Sequence, residues 1–171
     1  GSSKLDGWAT AIVANEPTKC RNYGRYVGNR YKGYTNIVWQ AGGAQMPGVG
    51  SVLEKNWLEI LRGINEFAPS PYWTAHWRKF TTALDQPTFA SEMSLDNTYS
   101  GNRTYIQILR AYNRPNPKPT FLNEAHYEGV GAPNYSTAEA ESPQMMRAQA
   151  YWAILSGASG HHFGCHYVWM F

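Results

Sequence analysis

The chain has 171 residues, 43% hydrophobic and 16% charged, enough apolar material for one folded domain and too much for a disordered chain. Its net charge of +3 is carried by scattered Lys and Arg with no basic run, which argues against nucleic-acid binding, and no apolar stretch approaches the ~20 residues of a membrane span. Aromatic residues reach 15%, with 7 Trp and 12 Tyr, more amphipathic rings than a core alone requires; sugar-binding clefts use such rings, whose faces stack on pyranose C–H groups while their polar tips hydrogen-bond.

Taken in chain order, residues 1–15 lack the charged start and apolar middle of a signal peptide; a secreted or periplasmic protein remains compatible with the rest. Residues 17–34 read as a helix, with Pro17 in its first turn and Tyr23, Val27, Arg30 and Tyr31 on one face. "TNIVWQAGG" (35–43) predicts a strand buried on both faces and closed by two glycines. Residues 51–67 carry the clearest helical pattern: Ser51 and Glu54 form a capping box, and Leu53, Trp57, Ile60, Leu61 and Ile64 form the inward stripe. Short strands are expected at 72–77 and 92–100, separated by an irregular stretch with a brief helical turn near Asp85–Phe89. A helix over 103–112 is expected to turn Ile106, Leu109 and Tyr112 inward, and prolines 115, 117 and 119 stop it.

"KPTFLNEAHYEG" (118–129) is the next strand, an apolar run that ends abruptly in Glu124. A Gly-, Pro-, Asn- and Ser-rich loop follows over 129–137. Then comes a helix from Ser142-Pro143 to Ser156 with Gly157 at its C′ position, and "GHHFGCHYVW" (160–169) supplies a last strand and its loop. Trp39 is expected in the core, Trp57 and Trp152 on helices against the sheet, and Met145-Met146 as filler. The two cysteines, Cys20 and Cys165, show no C-x-x-C spacing and read as two inert thiols, although the sequence leaves a bridge open.

Strand and helix alternate as in parallel βαβ units, and no G-x-G-x-x-G follows a strand, so a dinucleotide fold lacks its mark. Polar residues instead cluster just after strands: Gln45, His76, Asp96-Asn97, Glu124 and His161-His162. Such strand ends form the active-site rim of a (β/α)8 barrel. About five strands cannot close that barrel. The expected fold class is therefore α/β, a partial (β/α)8 TIM-type barrel, with residues 1–171 as the C-terminal part of a single domain. The N-terminal strands, absent from this chain, would come from a partner chain or another segment.

Three blocks, "YGRYVGNRYKGYTNIVWQAGG", "RAYNRPNPKPTFLNEAHYEG" and "RAQAYWAILSGASGHHFGCHYVW", together resemble the apiosidase-like glycoside hydrolases, a (β/α)8-barrel family. The resemblance covers about residues 17–169 and implies that the chain carries strands four to eight. It further implies a catalytic carboxylate after the two-glycine turn of strand four and a glutamate at the end of strand seven. The latter falls on Glu124; the former falls on Ala44, a departure from the family pattern.

Glycoside hydrolysis uses two carboxylates, ~5–5.5 Å apart in retaining enzymes and ~6.5–9.5 Å apart in inverting ones. Glu124 is the candidate nucleophile or base. Ala44 has no proton to give, which leaves three readings: a mutated acid, a natural loss that leaves a binding protein, or an acid from elsewhere, such as Asp96 at the end of its strand. Glu128 is expected to shape the site or pair with a basic residue, and Tyr127 to support a sugar hydroxyl or to pack. His76, Asn97 and one of His161 and His162 are further substrate-binding candidates, since adjacent histidines on a strand point to opposite faces. His126 reads as outward or structural, and Trp169 as a ring beneath the sugar or part of the core. Neither a cofactor nor a metal is expected: adjacent His161 and His162 with His166 do not make a ligand set. Three functions are in play: a glycosidase acting on a polysaccharide or oligosaccharide, a non-catalytic carbohydrate-binding protein, and a structural or assembly subunit.

Overall fold

The structure, a computed structural model, describes residues 8–68, 72–101, 103–129 and 142–169. It is a mixed α/β chain that divides into two compact units, Gly1–Arg78 with Ala83–Ser94, and Lys79–Thr82 with Leu95–Phe171.

The first unit opens with a short helix the sequence did not announce, α1 (Ala9–Ala14), followed by α2 (Pro17–Tyr31), which has its proline in the first turn as expected. Strand β1 (Trp39–Gly42) is shorter than the apolar run that predicts it. Helix α3 (Val52–Asn65) starts at the predicted cap, where Ser51 Oγ accepts the Glu54 N–H at 3.1 Å. The Glu54 carboxylate does not close the box on Ser51. It accepts the Gly50 N–H at 2.5 Å and the Gln86 side-chain amide at 2.6 Å. Strand β2 (Trp73–His76) pairs parallel with β1, Trp39 against Trp73 through Gly42 against His76.

Helices α2 and α3 approach backbone to backbone because Gly24 and Gly63 face the contact. A Cβ on Gly24 would collide with the Ile60 carbonyl, and one on Gly63 with the Arg21 carbonyl. Arg21 and Arg25 then reach Glu66 at 2.7 and 2.6 Å along the outer edge of that contact. The core takes the predicted stripe Leu53, Ile60, Leu61 and Ile64, together with Trp73, Trp77 and Phe89. Trp39 stacks on Trp73 with ring centroids 5.9 Å apart, and Trp57 is half-buried against the same cluster. The region expected to be irregular after β2 contains a 3₁₀ turn (Ala83–Asp85) and α4 (Pro87–Ala90), whose N-cap Gln86 accepts the Thr88 and Phe89 N–H groups.

The second unit is built on the sheet β3 (Thr81–Thr82), β4 (Asp96–Tyr99), β5 (Thr120–Glu124) and β7 (Gly160–His161), in that spatial order. β3 joins β4 antiparallel; β4, β5 and β7 run parallel. A separate parallel pair is formed by β6 (Tyr127–Glu128) and β8 (Gly164–Cys165), so the stretch read as one last strand is split in two and closes in α7 (His166–Trp169). Helices α5 (Thr104–Tyr112) and α6 (Pro143–Leu155) cover the sheet, Ile108 and Ala153 meeting Leu122 and Ala158 in the core. Ser142 caps α6 by accepting the Met145 N–H at 3.2 Å, and Gly157 takes the left-handed conformation (φ 99°) expected of a C′ residue.

One helical face departs from expectation. On α5 the buried residues are Thr104, Ile108 and Ala111, whereas Ile106, Leu109 and Tyr112 are exposed. Thr104, Ile108 and Ala111 fall at i, i+4 and i+7 and so share the one face turned to the core. The Gly- and Pro-rich loop of 129–137 lies, from residue 130 on, outside the described residues. Among the described residues no helix is long and apolar enough to cross a membrane.

Candidate active site

Glu124 ends β5, and its direction is set by a break in the pairing. Along β4 and β5 the register is Asp96 with Thr120, Asn97 with Phe121 and Thr98 with Leu122, and then Tyr99 with Glu124. Two β5 residues, Asn123 and Glu124, thus stand against one on β4, the arrangement of a β-bulge. In an unbroken strand Glu124, two residues on from Leu122, would share its face, which is buried under α5 and α6. The bulge moves it to the other face, that of Phe121 and Asn97. The Ser100 N–H then binds the Glu124 carbonyl at 2.9 Å and fixes the strand end.

On that face lies a cavity of about 500 Å³ lined by Asn123, Glu124, Tyr127, His162, Phe163 and Cys165, among others. Tyr127 reaches it from β6. Its register partner on β8 is Gly164, where a Cβ would stand 2.8 Å from the Tyr127 ring, so the missing side chain lets the ring lie flat across the strand. The Tyr127 hydroxyl hydrogen-bonds the Glu124 carboxylate. Burial, the Glu124 charge and that hydrogen bond push the Tyr127 phenol up to about 12. Phe163 is 57% exposed at the cavity edge, an aromatic face open to a ligand.

The two adjacent histidines separate as expected. His162 lines the cavity with its ring 4.9 Å from that of Phe121, while His161 pairs with Leu122 on the opposite face. Burial, followed by the neighbouring His162, lowers the His161 pKa, and its Nε2 is buried without a hydrogen-bond partner. His126 has its pKa lowered by burial and then by Lys79, in keeping with a structural place. Glu128 is half-buried beside Tyr127 and opposite Cys165 in the β6–β8 pair.

Other candidates sit elsewhere. Asp96 was expected to close its strand; it opens β4, paired with Thr120 at the start of β5 and therefore at the other end of the sheet from Glu124. It is fully buried, and its Oδ2 lies 3.2 Å from Arg114 Nε, a charge contact. Arg114 also donates to Thr82 Oγ1 at 2.6 Å, so Asp96 belongs to a buried anchor of the sheet. Asn97 is buried inside β4. Trp169 ends α7, with its side chain outside the described residues.

His76 ends β2 in the first unit, where its carbonyl accepts the N–H groups of Gly43 and Ala44 at 2.9 and 3.0 Å. Those bonds bend the chain through Gly42, Gly43 and Ala44, all at positive φ (94°, 138° and 61°). A left-handed alanine is strained by roughly 1–2 kcal/mol, whereas Gly, Asn and Asp adopt the conformation readily. Ala44→Gly is expected to stabilise the protein by about 1 kcal/mol, less whatever entropy the glycine adds to the unfolded chain, as read from the urea midpoint. This unit has its own cavity of about 560 Å³ beside Gly42 and Gly43, lined by Cys20, Gln45, Leu53, Trp57 and Ile60 among others, with no carboxylate among the described residues that line it.

Both cysteines are free. Among the described residues no three His, Cys, Asp or Glu side chains converge as a metal site.

Sequence reasoning passed over Gln149, Phe163 and Gly164. Gln149 carried a readable signal, since it falls on the buried face of α6 with Met146 and Ala153, and a polar residue there needs partners.

The Tyr127 contact predicts an alkaline step in stability. The phenol titrates near 10 when unfolded and at about 12 when folded. Between these values the unfolded chain has released the proton and the folded one has not, so stability falls as pH rises through that window. Melting temperatures of the wild type and Tyr127→Phe, compared from about pH 9 to 12, should show a wild-type advantage that shrinks with pH.

A family model described as "Apiosidase-like, catalytic domain" matches residues 2–171. Among solved structures, one named "Glycoside hydrolase" superimposes with a TM-score of 0.78 at 20% identity, covering 96% of this chain and 41% of its own. A glycoside hydrolase family 5 protein from Bacteroides vulgatus gives a TM-score of 0.72 at 20% identity, covering 88% of this chain and 35% of its own. The chain thus spans less than half the length of these two structures. No curated protein matches it. The fold is similar to that of glycoside hydrolases, and the family match covers nearly every residue: the chain belongs to the apiosidase-like family, within its catalytic domain.

Proposed function

We propose that this chain is part of a glycoside hydrolase acting on a polysaccharide or oligosaccharide, with Glu124 as nucleophile or base. The observation that carries the reading is the bulge at Asn123, which turns a strand-end carboxylate into an open cavity shared with Tyr127, His162 and Phe163. A sugar can use each of these groups. The ring of Phe163 offers a stacking face, His162 a hydrogen bond, and the neutral phenol of Tyr127 steadies the carboxylate without taking its charge. The parallel β1–β2, β4–β5 and β5–β7 pairings, with helices between successive strands, support strands four to eight of a (β/α)8 barrel.

Ala44 occupies the place where the family resemblance puts the second carboxylate. Its left-handed backbone supports that assignment, because the conformation suits Asp better than Ala. Ala44 also favours a second reading, a protein that binds glycans and does not cleave them. Reducing-end release from a glycan panel by the wild type, Ala44→Asp and Ala44→Asp/Glu124→Gln tests the first reading. Calorimetric binding of the same panel by the wild type tests the second. Binding with no cleavage by any variant would transfer the conclusion to the second reading, and neither binding nor cleavage would remove both.

A further inference from the structure

We propose that Gln149 of α6 is a positioning residue for the Glu124–Tyr127 pair, its side-chain amide gripping the peptide backbone of His126. Residues 125 and 126 are all that separates the end of β5 from the start of β6, so Glu124 and Tyr127 hang on either side of this short joint. Gln149 Oε1 accepts the His126 N–H at 3.1 Å, and Nε2 donates to the His126 carbonyl at 3.0 Å. The side chain is fully buried, so water cannot take its place.

The chemistry selects an amide. One residue's peptide groups present a donor and an acceptor to the same neighbour, as they would to an adjacent strand, and Gln answers both at once. A methionine of similar length answers neither. The grip is itself anchored: Met146 and Ala153 bury the same face of α6, and Thr104 Oγ1 at the start of α5 binds the Gln149 carbonyl at 3.3 Å. The joint is therefore referenced to two helices, and the carboxylate and phenol inherit its position. What this position does for catalysis rests on the glycosidase reading above; the geometry does not.

The test reads geometry first. Tyr127 ionisation is followed by phenolate absorbance as the difference between each protein and its Tyr127→Phe counterpart. Gln149→Met is expected to move the Tyr127 phenol down from about 12, towards the ordinary ~10, as the ring loses burial and the hydroxyl loses the carboxylate. A lower melting temperature with an unmoved Tyr127 titration would show a packing residue only and overturn the proposal. Should Gln149→Met fail to fold, hydrogen exchange on the wild type still decides. The His126 amide is expected to exchange as slowly as the interior of α6, and exchange at the rate of an open loop would overturn the clamp. In an Ala44→Asp protein that cleaves a glycan, Gln149→Met is expected to lower kcat about tenfold or more with KM little changed. If no variant cleaves any glycan, the function reading fails while the titration and exchange still judge the clamp.

Discussion

Ala44→Asp is expected to raise glycoside turnover by about 10²–10⁴-fold, and adding Glu124→Gln to return it to the starting level. The first figure is the usual contribution of a positioned general acid, which alanine cannot supply. The backbone is ready for the change: residue 44 is already left-handed and held by the His76 carbonyl, and aspartate fits that conformation with less strain than alanine. Ala44→Asn separates the proton from the shape, since it suits the same backbone and cannot act as an acid; it should fold as well as Ala44→Asp and gain nothing. Glu124→Gln keeps the partner of the Tyr127 hydroxyl and removes the charge, so its loss of turnover would not come from a disturbed cavity. A gain that survives Glu124→Gln would mean that another group is the nucleophile or base. No gain from Ala44→Asp would remove position 44 from the chemistry.

Arg114→Leu is expected to cost about 3–5 kcal/mol of stability, measured by urea unfolding, because it removes the cation beside a buried carboxylate. Asp96 is fully buried at the start of β4, and Arg114 stands 3.2 Å away while also holding Thr82 of β3. The double variant Asp96→Asn/Arg114→Leu should recover much of the loss, since a neutral amide costs far less to bury alone than a charge. Equal instability of the single and double variants would show that the guanidinium matters through Thr82 and packing, not through the charge.

How much of this was legible follows from what each feature depends on. The cap at Ser51 and the stripe of α3 are local patterns, and both stood in the sequence. The stripe of α5 was misread because large apolar residues were taken as the inward ones. The buried face is that of Thr104, Ile108 and Ala111, and only the neighbouring strands and helix reveal which face it is. Strands β3, β6, β7 and β8 have two residues each, too short for any periodicity. Glu124 was legible as a charge closing an apolar strand, and the separation of His161 from His162 followed from strand alternation. The partners of Glu124 were not. Tyr127 reaches it across a two-residue joint, and Gly164 and Gln149 matter through contacts 37 and 23 residues away in sequence from Tyr127 and His126. Asp96 was misplaced because a four-residue strand gives no sign of which end a charge belongs to.

The bulge at Asn123 has a corollary for reading relatives of this chain. Which side of the sheet the acid shows depends on the bulge and not on the letters alone: with the same residues paired one for one against β4, the acid would stand with Leu122 on the helix-packed side. A homologue that keeps the glutamate is therefore judged by how its strand end pairs, and one with an unbroken strand over the same letters should be treated as having turned the acid away.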